Sequence, residues 1–275
     1  MSKIGVFDSG YGGLTVLKSL VKALPELHFV YLGDNARAPY GDRSFDTVYH
    51  YTLDCVNWLF DHDCDLVILA CNTASAKALR QIQQVDLPLR NDNKRVLGVL
   101  RPTTESVGQF TQSKHVGILG TTGTIKSDSY KIEIAKFFPD IQVSQEACPI
   151  WVHLVENDLL NVEGTDFFVN DHIQRLLEKD NQIDAILLAC THYPLLLDSI
   201  QKAVPQNVRI ISQGDLVAEK LVDYLKRHPE FANNILKDGQ REFFTTDQFN
   251  DFDAKAGKFY GESVFAKRVE IPQKN

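Results

Sequence analysis

Leu66-Val67-Ile68-Leu69-Ala70-Cys71-Asn72-Thr73 decides the fold, because the chain says it twice: Ala185-Ile186-Leu187-Leu188-Ala189-Cys190-Thr191-His192 repeats the pattern. A short, continuous aliphatic run is what a strand buried on both faces of a parallel sheet looks like. Each run stops at a cysteine followed by amide, hydroxyl or imidazole side chains. A helical pattern follows each time, over residues 72–85 with Ala74, Ala76, Ala78 and Leu79, and over 195–203 with Pro194 in its first turn. The repetition extends upstream. Lys3-Ile4-Gly5-Val6-Phe7, emptying into Asp8-Ser9-Gly10, is echoed by His115-Val116-Gly117-Ile118-Leu119, emptying into Gly120-Thr121-Thr122-Gly123. Gly5 and Gly117 are 112 residues apart, Cys71 and Cys190 119, so one repeat with small insertions accounts for both. The expected fold is therefore α/β: two similar three-layer domains with mostly parallel sheets, related by a pseudo-twofold axis. Ligands of open parallel sheets bind off the carboxyl ends of the strands, so the site is expected in the cleft between the domains, with one cysteine on each side.

Working outward, helices are expected over 14–24, stopped by Pro25, over 47–60 and over 216–227. Further strands are expected over 29–32, 96–99, 208–212, 241–245 and 264–271. The polar stretch 90–95 suits a crossover between domains. A length of 275 residues accommodates two domains of ordinary size, and 44% hydrophobic with 24% charged residues is a globular composition. Against 36 Asp and Glu stand 29 Lys and Arg, a net charge of −7. Such a surface lacks the basic stripe that nucleic acid or an anionic membrane would need. No aliphatic run is long enough for a signal peptide or a membrane span, which points to the cytoplasm. Five scattered cysteines without a CxxC pair argue against a disulfide framework or a zinc ribbon.

The chemistry rests on Cys71 and Cys190. A cysteine between a strand end and a helix N-terminus meets the positive end of the helix dipole, which is expected to lower its pKa from about 8.5. Two opposed thiols suit proton transfer at a carbon acid, with a base on one face and an acid on the other. Thiol and thiolate exchange those roles in the reverse direction. The amides of the 9–13 and 121–124 loops can hold carboxylates, Asn72, Thr73 and Thr191 can add hydrogen bonds, and Asp8 can take an ammonium group. A substrate with two carboxylates and one amine fits that inventory. The Gly10-Tyr11-Gly12-Gly13 loop is only a fragment of a dinucleotide fingerprint, since position 15 is Thr.

Four motifs, in order and correctly spaced, resemble the glutamate racemases of the aspartate/glutamate racemase family: Phe7-Asp8-Ser9-Gly10-x-Gly12-Gly13-Leu14, Asp34-x-x-x-x-Pro39-Tyr40-Gly41, Ala70-Cys71-Asn72-Thr73-Ala74 and Ala189-Cys190-Thr191-His192-Tyr193-Pro194-Leu195. Gly123-Thr124-x-x-Ser127 and Cys148-Pro149 extend the match over essentially the whole chain. Aspartate racemases share the two-cysteine plan, but their second cysteine is typically followed by Thr-Glu, so Thr191-His192 favours glutamate.

The resemblance implies interconversion of L- and D-glutamate without pyridoxal phosphate or metal, supplying D-glutamate for peptidoglycan. It implies Cys71 and Cys190 as acid/bases, assisted by Asp8 and His192. Substrate contacts carry over to Asp8, Ser9, Tyr40, Gly41, Asn72, Thr73, Thr191 and His192, and Glu156 matches a further acidic residue near the family's site. It also implies that the second domain is inserted in the first, as 1–95 with 209–275, and 96–208, and it is compatible with a homodimer. Departures from the family pattern are Arg101 in Leu100-Arg101-Pro102, where an acid is usual, and Trp151 and His153 after Cys148-Pro149. Cys55 reads as core, Cys64 as part of a cap-and-turn stretch, Asp61-His62-Asp63-Cys64-Asp65, just before the third strand, and the arginines as solvated or structural. The alternative function is a binding module that holds a dicarboxylate or a protein partner in the same doubled fold without turning anything over.

Overall fold

A computed structural model describes residues 1–90 and 92–272. Residue 91, in the stretch read as a crossover, and residues 273–275 lie outside it. Among the described residues, ten strands form two sheets. β1 (Lys3–Asp8), β2 (Phe29–Gly33), β3 (Cys64–Leu69) and β4 (Arg95–Gly98) stand in the first with β9 (Arg241–Thr245) and β10 (Ala266–Arg268), in the order β10-β9-β2-β1-β3-β4. β5 (His115–Gly120), β6 (Gln142–Ala147), β7 (Ala185–Ala189) and β8 (Arg209–Ile211) form the second, in the order β6-β5-β7-β8. Every pairing is parallel. The first four strands of each sheet run second, first, third, fourth, so the doubling read in the sequence is a doubling of topology.

Burial explains the strand choice. β7 is buried at every residue and β1 at all but its first, and each enclosed Leu, Ile or Val side chain is worth about 1.5–3 kcal/mol. Helices cover both faces. Gly13–Ala23 turns Leu14, Val16, Leu17 and Leu20 inward at helical spacing and packs on Gly214–Arg227. The expected helix over 72–85 is a series of pieces: Asn72–Lys77, Leu79–Gln81, a wider π turn over Ile82–Asp86, and Leu87–Leu89. Pro88 has no N–H to give to Gln84, so a regular α register cannot run through it. The last strand is shorter than expected, three residues inside the range 264–271.

Two strands lie across the boundaries drawn from the sequence. β4 pairs with β3, from Leu66 opposite Arg95 to Leu69 opposite Gly98, so residues 96–98 belong to the first sheet. β8 pairs with β7, so residues 209–211 belong to the second. A strand that follows a strand and helix docks parallel beside that strand. β4 does so after the 72–89 helical pieces, and β8 after the helix Leu197–Ala203. The chain thus changes sheets after Gly98 and after Ile211. Cys55 is fully buried in the core of the first sheet, as read, and Cys64, read as lying in a turn before the third strand, is the buried first residue of β3. Among the described residues no helix is long and apolar enough to cross a membrane.

Candidate active site

Because both sheets are parallel, the loops after their strands open on one region. β1 delivers Asp8 and Ser9, the segment after β2 delivers Tyr40 and Gly41, and β3 delivers Cys71, Asn72 and Thr73. β5 delivers Thr121 and Thr122, the helix Pro149–Glu156 after β6 brings Glu156, and β7 delivers Cys190, Thr191 and His192. One cavity of about 40 Å³ is lined by Ser9, Tyr40, Gly41, Cys71, Asn72, Thr73, Cys190, Thr191 and His192, together with Thr121, Thr122 and Glu156. Of the residues carried over, only Asp8 lies behind the lining. Its carboxylate accepts from Gly10 N–H at 2.9 Å and from the Thr191 hydroxyl at 3.3 Å.

The first thiol caps the helix Asn72–Lys77. Cys71 Sγ accepts from Ala74 N–H at 3.4 Å and lies 3.5 Å from Ser9 Oγ. The helix dipole does not lower its pKa as expected. Burial, and then the charge of Asp8, push the thiol up to about 12 against the pull of Ser9 and Ala74. One amide and one hydroxyl do not repay placing a thiolate in a buried site beside a buried carboxylate. Asp8 is itself raised by burial, with His192 and the Gly10 and Gly13 amides acting the other way.

The second thiol has a different neighbour. Cys190 Sγ lies 3.9 Å from His192 Nδ1, and His192 Nε2 lies 2.9 Å from Glu156 Oε1. Burial opposes charge on His192, but its hydrogen bonds to Cys190 and Glu156 outweigh that and raise it to about 10. Glu156, which burial would raise, is lowered by the same partnership. His192 is thus biased toward its charged form, with Nε2 facing Glu156 and Nδ1 facing the thiol. A charge on Cys190 in turn raises Cys71, so the two sulfurs share one electrostatic field. The Asp8 carboxyl stands behind the Cys71 side, and the His192–Glu156 pair stands on the Cys190 side.

Removing one partner tests the dyad. In Glu156→Gln, His192 is expected to titrate below its wild-type value of about 10, as followed by the imidazole Cε1–H signal in NMR. A group raised in the folded state stabilises fully below its unfolded pKa, about 6.5, and loses that contribution as pH climbs through its folded value. Wild-type stability should therefore fall between about pH 6.5 and about pH 10, and Glu156→Gln should flatten that slope. An unchanged His192 midpoint would remove Glu156 from the dyad.

The loops fit across the cleft with little room. A Cβ on Gly12 would stand 2.2 Å from Thr191 Oγ1 and 2.5 Å from His192 Nδ1. Gly123 N–H donates to Gly41 O at 2.8 Å, and a Cβ there would stand 2.6 Å from the same oxygen. Thr73 and Thr121 hydroxyls meet at 2.9 Å. Several contributors carried no role in the sequence. Asp34, fully buried, accepts from the Tyr40 hydroxyl and from Arg37 Nε at 2.6 Å. The phenol of Tyr40 is thereby committed to Asp34. Lys77 donates to Arg43 O at 2.6 Å and fastens the Tyr40–Gly41 loop to the helix that Cys71 caps. Burial lowers its pKa. Asp34 had one legible signal, its place at a strand end within a quoted motif. A lysine on the apolar face of a short helix has none that distinguishes it from a solvated one.

The Asp/Glu/Hydantoin racemase family model matches residues 4–221. A glutamate racemase from Roseobacter denitrificans is 43% identical over 254 residues, covering 88% of this chain and 91% of that protein. Among solved structures, a glutamate racemase isoform from Bacillus anthracis superposes with a TM-score of 0.88 at 32% identity, over 99% of both chains. The glutamate racemase from Francisella tularensis, in complex with D-glutamate, superposes with a TM-score of 0.85 at 29% identity, over 98% of both. The two-domain α/β fold and the cleft between its sheets define an isomerase of the racemase class. The chain belongs to the Asp/Glu/Hydantoin racemase family.

Proposed function

We propose that the protein interconverts L- and D-glutamate by moving the α-proton between Cys71 and Cys190. The observation that carries this reading is that the two cysteines, each at the carboxyl end of the third strand of its own sheet, line one cavity from opposite halves of the molecule. Burial and the Asp8 charge hold Cys71 in its protonated form, so in one direction it is the acid and Cys190, beside His192, is the base. The Cys190 sulfur takes the proton from one face, the bond electrons stay on the α-carbon, and the Cys71 S–H protonates the other face. The products are the opposite enantiomer, a Cys71 thiolate and a Cys190 thiol, which is the starting state for the reverse direction. Ser9, Asn72, Thr73, Thr121, Thr122 and Thr191, which line the cavity, supply N–H and O–H donors for the two carboxylates. Asp8 and Ser9 serve the Cys71 side and His192 the Cys190 side. Two thiols account for the proton transfer without pyridoxal phosphate or a metal. The relatives named as glutamate racemases support glutamate as substrate, and D-glutamate for peptidoglycan, made in the cytoplasm, follows as the role.

The test is proton NMR with a chiral readout. Purified protein in D₂O with L-glutamate, and separately L-aspartate, is expected to wash out the α-proton of glutamate and produce D-glutamate. Turnover of aspartate alone would replace the substrate and keep the mechanism. Protein with free thiols that is silent on both would end the reading in favour of a binding module.

A further inference from the structure

Both places where the chain changes sheets meet in one buried polar knot, and that knot holds a residue of the cavity wall. Gln213 sits between β8 and the helix Gly214–Arg227, at the return to the first half. Val99 and Thr103 sit just after β4, at the departure from it. The Gln213 side-chain amide donates from Nε2 to Thr103 Oγ1 at 3.0 Å, to the Tyr130 hydroxyl at 2.6 Å and, more weakly, to Val99 O at 3.4 Å. Its Oε1 accepts from Asn72 Nδ2 at 2.7 Å, and the Tyr130 hydroxyl donates to Asn72 Oδ1. Asn72, Tyr130 and Gln213 therefore close a triangle of three hydrogen bonds. Tyr130 and Thr103 are fully buried, and Asn72 and Gln213 nearly so.

The consequences follow from counting donors and acceptors. An asparagine amide offers two N–H groups and an oxygen with two lone pairs. The triangle uses one of each and fixes the plane of the amide. One N–H and one lone pair remain, and Asn72 lines the cavity beside Cys71. Without its partners the amide could rotate about its last torsion, a broad and soft one. Tyr130 comes from the second half, Asn72 from the first, and Gln213 from the connection between them, so the triangle exists only when the halves are correctly set.

We propose that Gln213 and Tyr130 are positioning residues that act through Asn72, tying its orientation toward the substrate to the seating of the two halves. The inference rests on the racemase reading above for Asn72 as a substrate contact. It makes no use of either thiol.

A double-mutant cycle separates this from a purely structural role. Tyr130→Phe removes one oxygen from a fully enclosed ring, and Gln213→Leu removes the amide. Each is made alone and on Asn72→Ala, and two quantities are read, Kd for D-glutamate by calorimetry and kcat/KM for racemisation. Each is expected to weaken binding and lower kcat/KM about tenfold in the wild-type background, the scale set by leaving a buried partner unsatisfied. On Asn72→Ala the further loss should be less than about twofold. Equal losses in both backgrounds, or no loss in the wild-type background, would overturn the inference. If Gln213→Leu fails to fold, Tyr130→Phe alone decides. A wild type that binds D-glutamate without racemising it would sink the functional proposal and leave the coupling legible in Kd. One that does neither overturns both.

Discussion

Cys71→Ser and Cys190→Ser are each expected to lower racemisation of glutamate by about 1,000-fold or more, in both directions, with the fold intact. A positioned acid or base contributes about 10²–10⁴ to rate, most when its pKa is matched to the working pH. Exchanging sulfur for a hydroxyl removes that match while changing one atom. The fold tolerates it. Cys71 caps a helix by accepting from Ala74 N–H, a task serine performs well. Cys190 sits at a strand end where serine is nearly isosteric. Loss in both directions is the informative part, because on the proposed mechanism each thiol is acid for one enantiomer and base for the other. The variants should also differ in exchange. With Cys71 replaced, the Cys190 side can still exchange the α-proton of one enantiomer with deuterium without inverting it, and with Cys190 replaced the other enantiomer is served. Either variant retaining turnover within tenfold of wild type would end the two-thiol mechanism.

Gly12→Ala is expected to be nearly as damaging, without removing any group that handles a proton. Gly12 has φ of −57°, ordinary for any residue, so the glycine serves close approach and not an unusual backbone. A single added methyl would stand 2.2 Å from Thr191 Oγ1 and 2.5 Å from His192 Nδ1, and both side chains are enclosed. Either the 9–13 loop backs away or Thr191 and His192 do, and both movements open the cleft across the line of proton transfer. Overpacking of this kind costs about 1–3 kcal/mol of stability. A displacement near 1 Å at reacting groups costs about 100-fold in rate. A fall of about that size in kcat/KM, with a smaller fall in Tm, is the expected pattern. Activity within threefold of wild type would show that the two loops need not touch in the working enzyme.

How legible this was depended on whether a signal was local. The two strands ending at Cys71 and Cys190 announce themselves, because a strand buried on both faces needs an unbroken aliphatic run and the residue after it must be where the chain turns. β4 and β8 were also visible as strands, but the sheet each belongs to was not. Pairing is decided by the preceding strand and helix, whose packing the hydrophobic pattern of Val96-Leu97 or Ile210-Ile211 does not encode. The pKa of Cys71 shows the same limit in electrostatics. Its helix N-terminus could be read locally, whereas its burial and the Asp8 carboxylate beside it come from distant parts of the chain. Gln213 was silent for the same reason: a polar residue before a helix reads as a cap until two crossovers converge on it.

The repeated strand order, second-first-third-fourth in both sheets, bears on ancestry. A chain of half the length, pairing with itself about a twofold axis, would build this cleft with the same cysteine on each wall. The two cysteines would then have identical surroundings by symmetry. Joining the halves into one chain releases the walls from that identity. Here one wall has come to hold Asp8 and Ser9, and the other His192 and Glu156. The fused chain can give each thiol partners of its own, a freedom that a symmetric pair of identical halves does not have.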